Sequence, residues 1–198
     1  MLFIYIILAI ILTFILFHIV YFVIFKINYK PVLMYHRVTD IKKSPDKRYI
    51  DHKGGKLDLD TMKVSLDNFE KQMNYLKKNN YQTTNFYDNS KKRKRIIITF
   101  DDGYKDNYLN AYPILKNNNQ TATIYVTVDK VINNEFMQID QNDKVEDNML
   151  MSVEDIIYLS KNGIEIGSHT LSHPYLDQLS YKEQEREIKH LQEVVKKA

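Results

Sequence analysis

The chain begins with a long, uninterrupted apolar segment. Residues 1–25 are almost wholly apolar, with Thr13 and His18 as the main interruptions. About twenty apolar residues span the hydrocarbon core of a bilayer. A cleaved signal peptide has a basic start and small residues at the cut, whereas this segment has neither. A buried core helix would need a polar face, which is also missing. The pattern predicts an uncleaved transmembrane anchor over residues 1–25 and a juxtamembrane linker over residues 26–31.

Beyond the linker, strand patterns alternate with helix patterns. Short β-branched or apolar runs predict strands over Val32–Tyr35, Ile96–Phe100, Thr121–Val128 and Ile164–Gly167. Apolar residues at spacings of three and four predict helices after Ser65, over 104–117, over 153–162 and from Ser180 to the chain end. This alternation predicts an α/β domain over residues 32–198, in which parallel strands are covered by helices.

Local signals define several of these helix ends. Ser152-x-x-Asp155 and Ser180-x-x-Glu183 have the spacing of capping boxes. Gly163 directly follows a predicted helix. Helices commonly end with a glycine in the left-handed conformation at this position. The polar stretches between elements, residues 39–63 and 130–148, predict a long loop and an acidic insertion without a clear period.

Charge and cysteine content narrow the chemistry. After the two juxtamembrane lysines, Lys26 and Lys30, the domain has 26 Lys and Arg against 25 Asp and Glu, which argues against nucleic acid as a partner. The chain contains no cysteine, so a metal would be bound by His and carboxylate. The basic run 91–95 has the charge to bind an anionic polymer or lipid headgroups. A predicted buried strand begins directly after this run, at Ile96. The favoured interpretation is therefore that the run is a solvent-exposed segment leading into that strand.

Three chemically active features directly follow predicted strands. They are His36, the pair Asp101-Asp102, and the pair His169 and His173. Ligands of parallel α/β folds bind at the carboxyl ends of strands, so these side chains are expected to meet. Alone, Asp-Asp-Gly is an ordinary turn and His-x3-His is a common chance match. Together they supply the inventory of a hydrolytic zinc site, namely two imidazoles, a ligand carboxylate and a spare carboxylate.

The other histidines are weaker candidates. His36 is either a site residue or a structural residue at the strand end. His52 is in a polar stretch and is expected to be solvated, and His190 lies beside Leu191 on a predicted helix and is not assigned to the site.

These motifs resemble those of a known family. Residues 99–103 (TFDDG) and 168–174 (SHTLSHP) resemble the first two motifs of NodB-type polysaccharide deacetylases. Residues 32–38 (VLMYHRV) resemble the opening strand of the bacterial branch that deacetylates N-acetylglucosamine polymers, and 162–167 (NGIEIG) resemble the segment before the His motif.

The resemblance implies a fold, a site and a substrate. It implies a partial, distorted (β/α) barrel with Asp102, His169 and His173 as ligands of a divalent metal, with Zn²⁺ preferred, and Asp101 as the catalytic base. The activity would be hydrolysis of N-acetyl groups on a cell-surface or cell-wall polysaccharide. The chain would be a single-pass membrane protein with its catalytic domain on the extracellular face. Two lysines beside the anchor favour the opposite orientation only weakly, because long domains translocate largely regardless of charge.

Several alternatives stay open at this point. The family's later motifs supply an arginine that orients the base, groove residues and a histidine that protonates the leaving amine. They would follow Ala198, so the domain is expected to be incomplete at its C-terminus, with an open sheet edge and exposed apolar surface. The alternatives are a truncated, inactive remnant that at most binds metal or glycan, a membrane-anchored scaffold, and an esterase acting on acetylated xylan. The opening strand favours an amide substrate.

Overall fold

A computed structural model of the protein describes residues 1–28, 30–39, 48–50, 56–90, 94–140 and 148–195. The first element is helix α1 (Leu2–Asn28), which continues three residues beyond the predicted anchor. Its span Leu2–Val23 is long and apolar enough to cross a membrane, and none of it is buried against the rest of the protein. Length and composition alone would fit an anchor or a signal sequence, so the anchor stays a prediction.

A five-stranded parallel sheet forms the centre of the domain. Its strands are β1 (Val32–Tyr35), β6 (Gln82–Thr84), β7 (Arg95–Phe100), β8 (Thr123–Val126) and β9 (Glu165–Ser168). Strand β7 pairs with β1, β6 and β8, and β8 pairs with β9. All six residues of β7 are buried, as expected for a parallel strand covered on both faces.

Helices cover the sheet. They are α2 (Leu66–Lys78), α3 (Tyr112–Asn117), α4 (Val128–Ile132), α5 (Val153–Lys161) and α6 (Tyr181–Val195). All but α4 lie where the apolar periodicity predicts a helix. The apolar side of α2, with Phe69 and Met73, packs on the face of β7 that carries Phe100. Burying such side chains stabilises the fold by about 1.5–3 kcal/mol each.

The predicted helix ends are confirmed. Ser65 caps α2 by accepting a hydrogen bond from the Asn68 amide at 3.3 Å. Ser152 and Asp155 form the reciprocal bonds of a capping box at the start of α5. Gly163 follows α5 with a φ of +88°.

Some short elements were not predicted. Within the stretch 39–63, β3 (Arg48–Ile50) and β4 (Lys56–Asp58) form an antiparallel pair, so the prediction of one loop was wrong. At the end of the stretch, β5 (Lys63–Val64) pairs in parallel with β2 (Arg37–Val38), which precedes it. Strand β6 was also missed. Strands of two or three residues are too short to show a period of two.

The predicted helix 104–117 includes a π-helical turn, Asn107–Ala111, before α3. The predictions for His52 and for residues 91–93 concern positions outside the described residues. Arg95, which was predicted to be solvated, is buried in β7.

The sheet is open among the described residues. Strand β1 pairs with β7 alone, and β9 pairs with β8 alone. On β1, Val32 and Met34 are exposed apolar side chains. The α/β fold with a parallel sheet is confirmed, and its closure into a barrel stays a prediction.

Candidate functional site

The register of the sheet brings the predicted residues to one edge. Tyr35 is the partner of Phe100, and Val126 is the partner of Ser168. The ladder continues one residue further, because the Asp101 amide donates to the Tyr35 carbonyl at 2.9 Å. The His169 amide likewise donates to the Val126 carbonyl at 2.9 Å. The segments carrying His36, Asp101-Asp102 and His169 therefore leave the sheet together at its carboxyl edge.

A sharp turn after β7 directs Asp102 inward. Asp102 has a φ of +73°, a left-handed conformation that is uncommon for residues with a β-carbon. Its carbonyl accepts a hydrogen bond from the Thr127 amide at 3.3 Å, which ties the turn to the end of β8. Gly103 continues the turn with a φ of +85°. The Asp102 side chain is thereby buried, with 3% of its surface exposed.

Asp102, His169 and His173 form a cluster that fits a divalent metal ion. Oδ1 of Asp102 lies 3.5 Å from Nε2 of His169 and 3.4 Å from Nε2 of His173. Two ligands each about 2.1 Å from a tetrahedral ion are separated by about 3.4 Å, so these distances fit. All three potential ligand atoms lie within 4.8 Å of one another. Oδ1 of Asp102 is fully buried and has no hydrogen-bond partner in the described part of the chain, as expected of an atom reserved for a cation.

Burial shifts the ionisation of all three side chains in the protein without a metal. Desolvation raises the pKa of Asp102, against the opposing effect of the nearby His169 and His36. Desolvation lowers the pKa of His169 and of His173. Imidazole binds a metal in its neutral form, so the lowered pKa favours the ligand state near neutral pH. A nearby divalent cation would offset the cost of the buried carboxylate.

Asp101 and His36 lie beside the cluster and outside it. Oδ2 of Asp101 is 4.0 Å from Nε2 of His36. The backbone of His36 is held separately, because its carbonyl accepts a hydrogen bond from Nδ2 of Asn107 at 2.9 Å. Of the two interpretations left open by the sequence, this placement favours a site role for His36.

The loop that carries both histidines has an unusual backbone. Thr170 and His173 each have a φ of +63°. The His173 amide donates to Oγ1 of Thr170 at 2.9 Å, and the Leu171 carbonyl accepts a hydrogen bond from the Asp129 amide at 2.9 Å. The pair of histidines therefore lies on a loop and not on one helix face.

A carboxylate from α6, which the sequence analysis missed, also holds this loop. Oε2 of Glu187 accepts hydrogen bonds from the Leu171 and Ser172 amides at 3.0 and 2.9 Å. Oε1 of Glu187 accepts from the Ser172 hydroxyl at 2.8 Å. Glu187 is only 9% exposed. It gives no signal in the sequence, because α6 has many charged residues with the same spacing.

A cavity of about 200 Å³ adjoins the cluster, and His36, Asp102 and His173 line it. The rest of its wall is largely apolar and consists of Met62, Met137, Gln138, Ile139, Pro174 and Tyr175. The Tyr104 hydroxyl donates to Oδ2 of Asp140 at 2.7 Å and so ties the 3₁₀ turn Gln138–Asp140 to the Asp102 turn. The sequence predicted no role for this turn, because the polar insertion has no period.

Comparison with known proteins identifies relatives of the chain. The family model described as "Polysaccharide deacetylase" matches residues 88–198. The Bacillus subtilis (strain 168) protein named "Putative polysaccharide deacetylase YxkH" is 29% identical over 166 residues, which cover 80% of this chain and 48% of that protein. The chain therefore spans about half the length of this curated relative.

Solved structures share the fold. A polysaccharide deacetylase from Bacillus cereus is 30% identical with a TM-score of 0.62, and the match covers 84% of this chain and 46% of that one. A Streptococcus pyogenes deacetylase in complex with acetate, PplD, has a TM-score of 0.64 at 24% identity, over 85% of this chain and 68% of that one. At this level of identity the second match supports the fold alone.

Proposed function

Because the chain belongs to the polysaccharide deacetylase family, we propose that it is a metal-dependent hydrolase removing N-acetyl groups from an N-acetylglucosamine-containing cell-surface or cell-wall polysaccharide. One observation carries the proposal, namely the buried Oδ1 of Asp102, which faces Nε2 of His169 and of His173 and has no hydrogen-bond partner among the described residues. In this proposal α1 anchors the protein and the domain lies on the extracellular face.

The proposed roles follow from the chemistry of amide hydrolysis. Asp102, His169 and His173 would hold the divalent ion, with Zn²⁺ the preferred metal. Such an ion supplies a water of lowered pKa and polarises the acetamide carbonyl. Asp101, which stays outside the ligand set, would act as the general base that takes a proton from the attacking water. Cleavage of the C–N bond would give acetate and a free sugar amine, whose nitrogen would take up the proton that Asp101 had accepted.

The cavity supports the proposed substrate class. An acetamido group is small and has an apolar methyl beside a polar carbonyl. The largely apolar wall gives the methyl group a place next to the ligand cluster, and Gln138 adds a polar group to that wall. We therefore propose that the cavity receives the acetyl group while the polymer lies across the carboxyl edge of the sheet.

The test is acetate release by the full chain, in detergent with added Zn²⁺, from N-acetylglucosamine oligomers and from O-acetylated xylan. We expect Asp101→Asn to keep stoichiometric metal and to lose about 10²–10⁴-fold in rate. We expect Asp102→Ala to lose the metal as well. Asp67→Asn is a matched control on the exposed side of α2, and it should change neither quantity.

Other results of the acetate-release and metal measurements would favour one of the alternative functions or contradict the proposed roles. Full acetate release by Asp101→Asn would show that another group is the base. Stoichiometric metal without acetate release would favour the non-catalytic binding protein. Release from xylan alone would favour the esterase, and wild-type protein without metal would contradict the proposed site.

A further inference from the structure

Glu187 holds the loop segment just before His173 by hydrogen bonds to the Leu171 and Ser172 amides. His169 follows β9 directly and is held by a ladder hydrogen bond to Val126. His173 lies four residues further along the loop, in neither a strand nor a helix. In the described residues, its own amide is bonded only to Oγ1 of Thr170. The two histidines therefore depend on different supports.

The supports of His173 converge on the residues just before it. The Leu171 peptide is held from two sides, by Asp129 at its carbonyl and by Glu187 at its amide. Ser172 is held by Glu187 twice, through its amide and its hydroxyl. Three hydrogen bonds to one buried carboxyl group therefore set the path of the chain into His173.

We infer that Glu187 is a positioning residue of the metal site, which acts by holding His173 where its Nε2 faces Oδ1 of Asp102. This inference rests on the proposed function, because it concerns the same cluster. Groups that orient metal ligands typically change metal affinity about 10- to 100-fold when they are removed. The effect should be asymmetric, weakening the hold on His173 and leaving the hold on His169 intact.

Glu187→Gln tests this, because it removes the negative charge and leaves one acceptor oxygen where Glu187 uses two, so the hydrogen bonds to Leu171 and Ser172 are weakened. The matched control is Glu185→Gln on the same helix, where Glu185 is exposed and paired with Lys189. The readout is the dissociation constant of Co²⁺, followed by its absorption on the full chain in detergent. We expect a loss of affinity of about 10- to 100-fold for Glu187→Gln and none for Glu185→Gln.

A second measurement separates positioning from general stability. In the zinc-loaded protein labelled with ¹⁵N-histidine, Glu187→Gln should shift the resonances of His173 and leave those of His169 in place. Ser172→Ala removes only the hydroxyl bond, so it keeps the idea testable if Glu187→Gln does not fold. Its effect on the Co²⁺ dissociation constant should be smaller, and it should not add to that of Glu187→Gln.

The outcomes are distinguishable from those of the proposed function. Wild-type protein that bound no Co²⁺ would overturn both. Wild-type binding with equal affinities for Glu187→Gln and Glu185→Gln would overturn only the positioning role. Equal shifts at His169 and His173 would also overturn it, because they would indicate a general loss of structure.

Discussion

Gly103 and Val126 are in such close contact that a β-carbon on Gly103 would lie 2.9 Å from Cγ1 of Val126. The contact joins the Asp102 turn to the end of β8. It leaves room for glycine alone, and the φ of +85° at this position makes the same demand. Space and backbone conformation therefore both require glycine in this turn.

Gly103→Ala should destabilise the protein and disturb the cluster. Gly163→Ala is the matched control, because Gly163 has a similar φ of +88° but a β-carbon there meets no atom within 4 Å. The left-handed conformation alone costs about 1–2 kcal/mol for a residue with a β-carbon. Overpacking against Val126 should add about 1–3 kcal/mol at Gly103 only. Urea unfolding and Co²⁺ affinity measure both effects, and equal losses for the two variants would show that the Val126 contact has no energetic importance.

Tyr104→Phe should loosen the wall of the cavity. The lost hydroxyl donates to a buried carboxylate oxygen of Asp140, and such a bond is worth about 1.5–3 kcal/mol. Tyr112→Phe is the control, because the buried Tyr112 hydroxyl has no hydrogen-bond partner in the described part of the chain. We expect a loss of unfolding free energy for Tyr104→Phe and none for Tyr112→Phe. A larger loss at Tyr112 would contradict the assignment of the wall contact.

The sequence predicted the cluster because its residues follow strands. Asp101, Asp102 and His169 each come within two residues of a buried or partly buried run, and a parallel sheet brings such ends together. Glu187 and Asp140 could not be predicted in this way. Each is connected to the site by a side-chain hydrogen bond from a distant position in the chain. Hydrophobic periodicity does not predict which polar side chain makes such a bond. Hydrophobic patterning thus predicted which of these side chains would meet, and it left the residues that hold them in place undetected.

Metal affinity should decline only at acidic pH. Protons compete with the metal for the imidazole nitrogens, and burial lowers the pKa of His169 and of His173 below the ordinary value of about 6.5. A lowered pKa keeps the imidazoles neutral, so affinity should stay constant as pH falls to about 6.5. Below the lowered values it should fall steeply, and the raised pKa of Asp102 adds a further proton to the competition. Co²⁺ titrations over a pH series test this, and a decline that begins above neutrality would contradict the prediction and point to protonation of Asp102 as the competing event.

His36→Phe distinguishes the two roles considered for His36. The substitution keeps an aromatic ring and the backbone bond to Asn107 but removes the nitrogen 4.0 Å from Asp101. We expect unchanged Co²⁺ affinity and unfolding free energy, with acetate release reduced on the order of 10-fold, less than for a direct proton-transfer group. If His36 acts through Asp101, adding His36→Phe to Asp101→Asn should cost no further rate. A variant that loses stability and keeps its rate would instead show that His36 is structural.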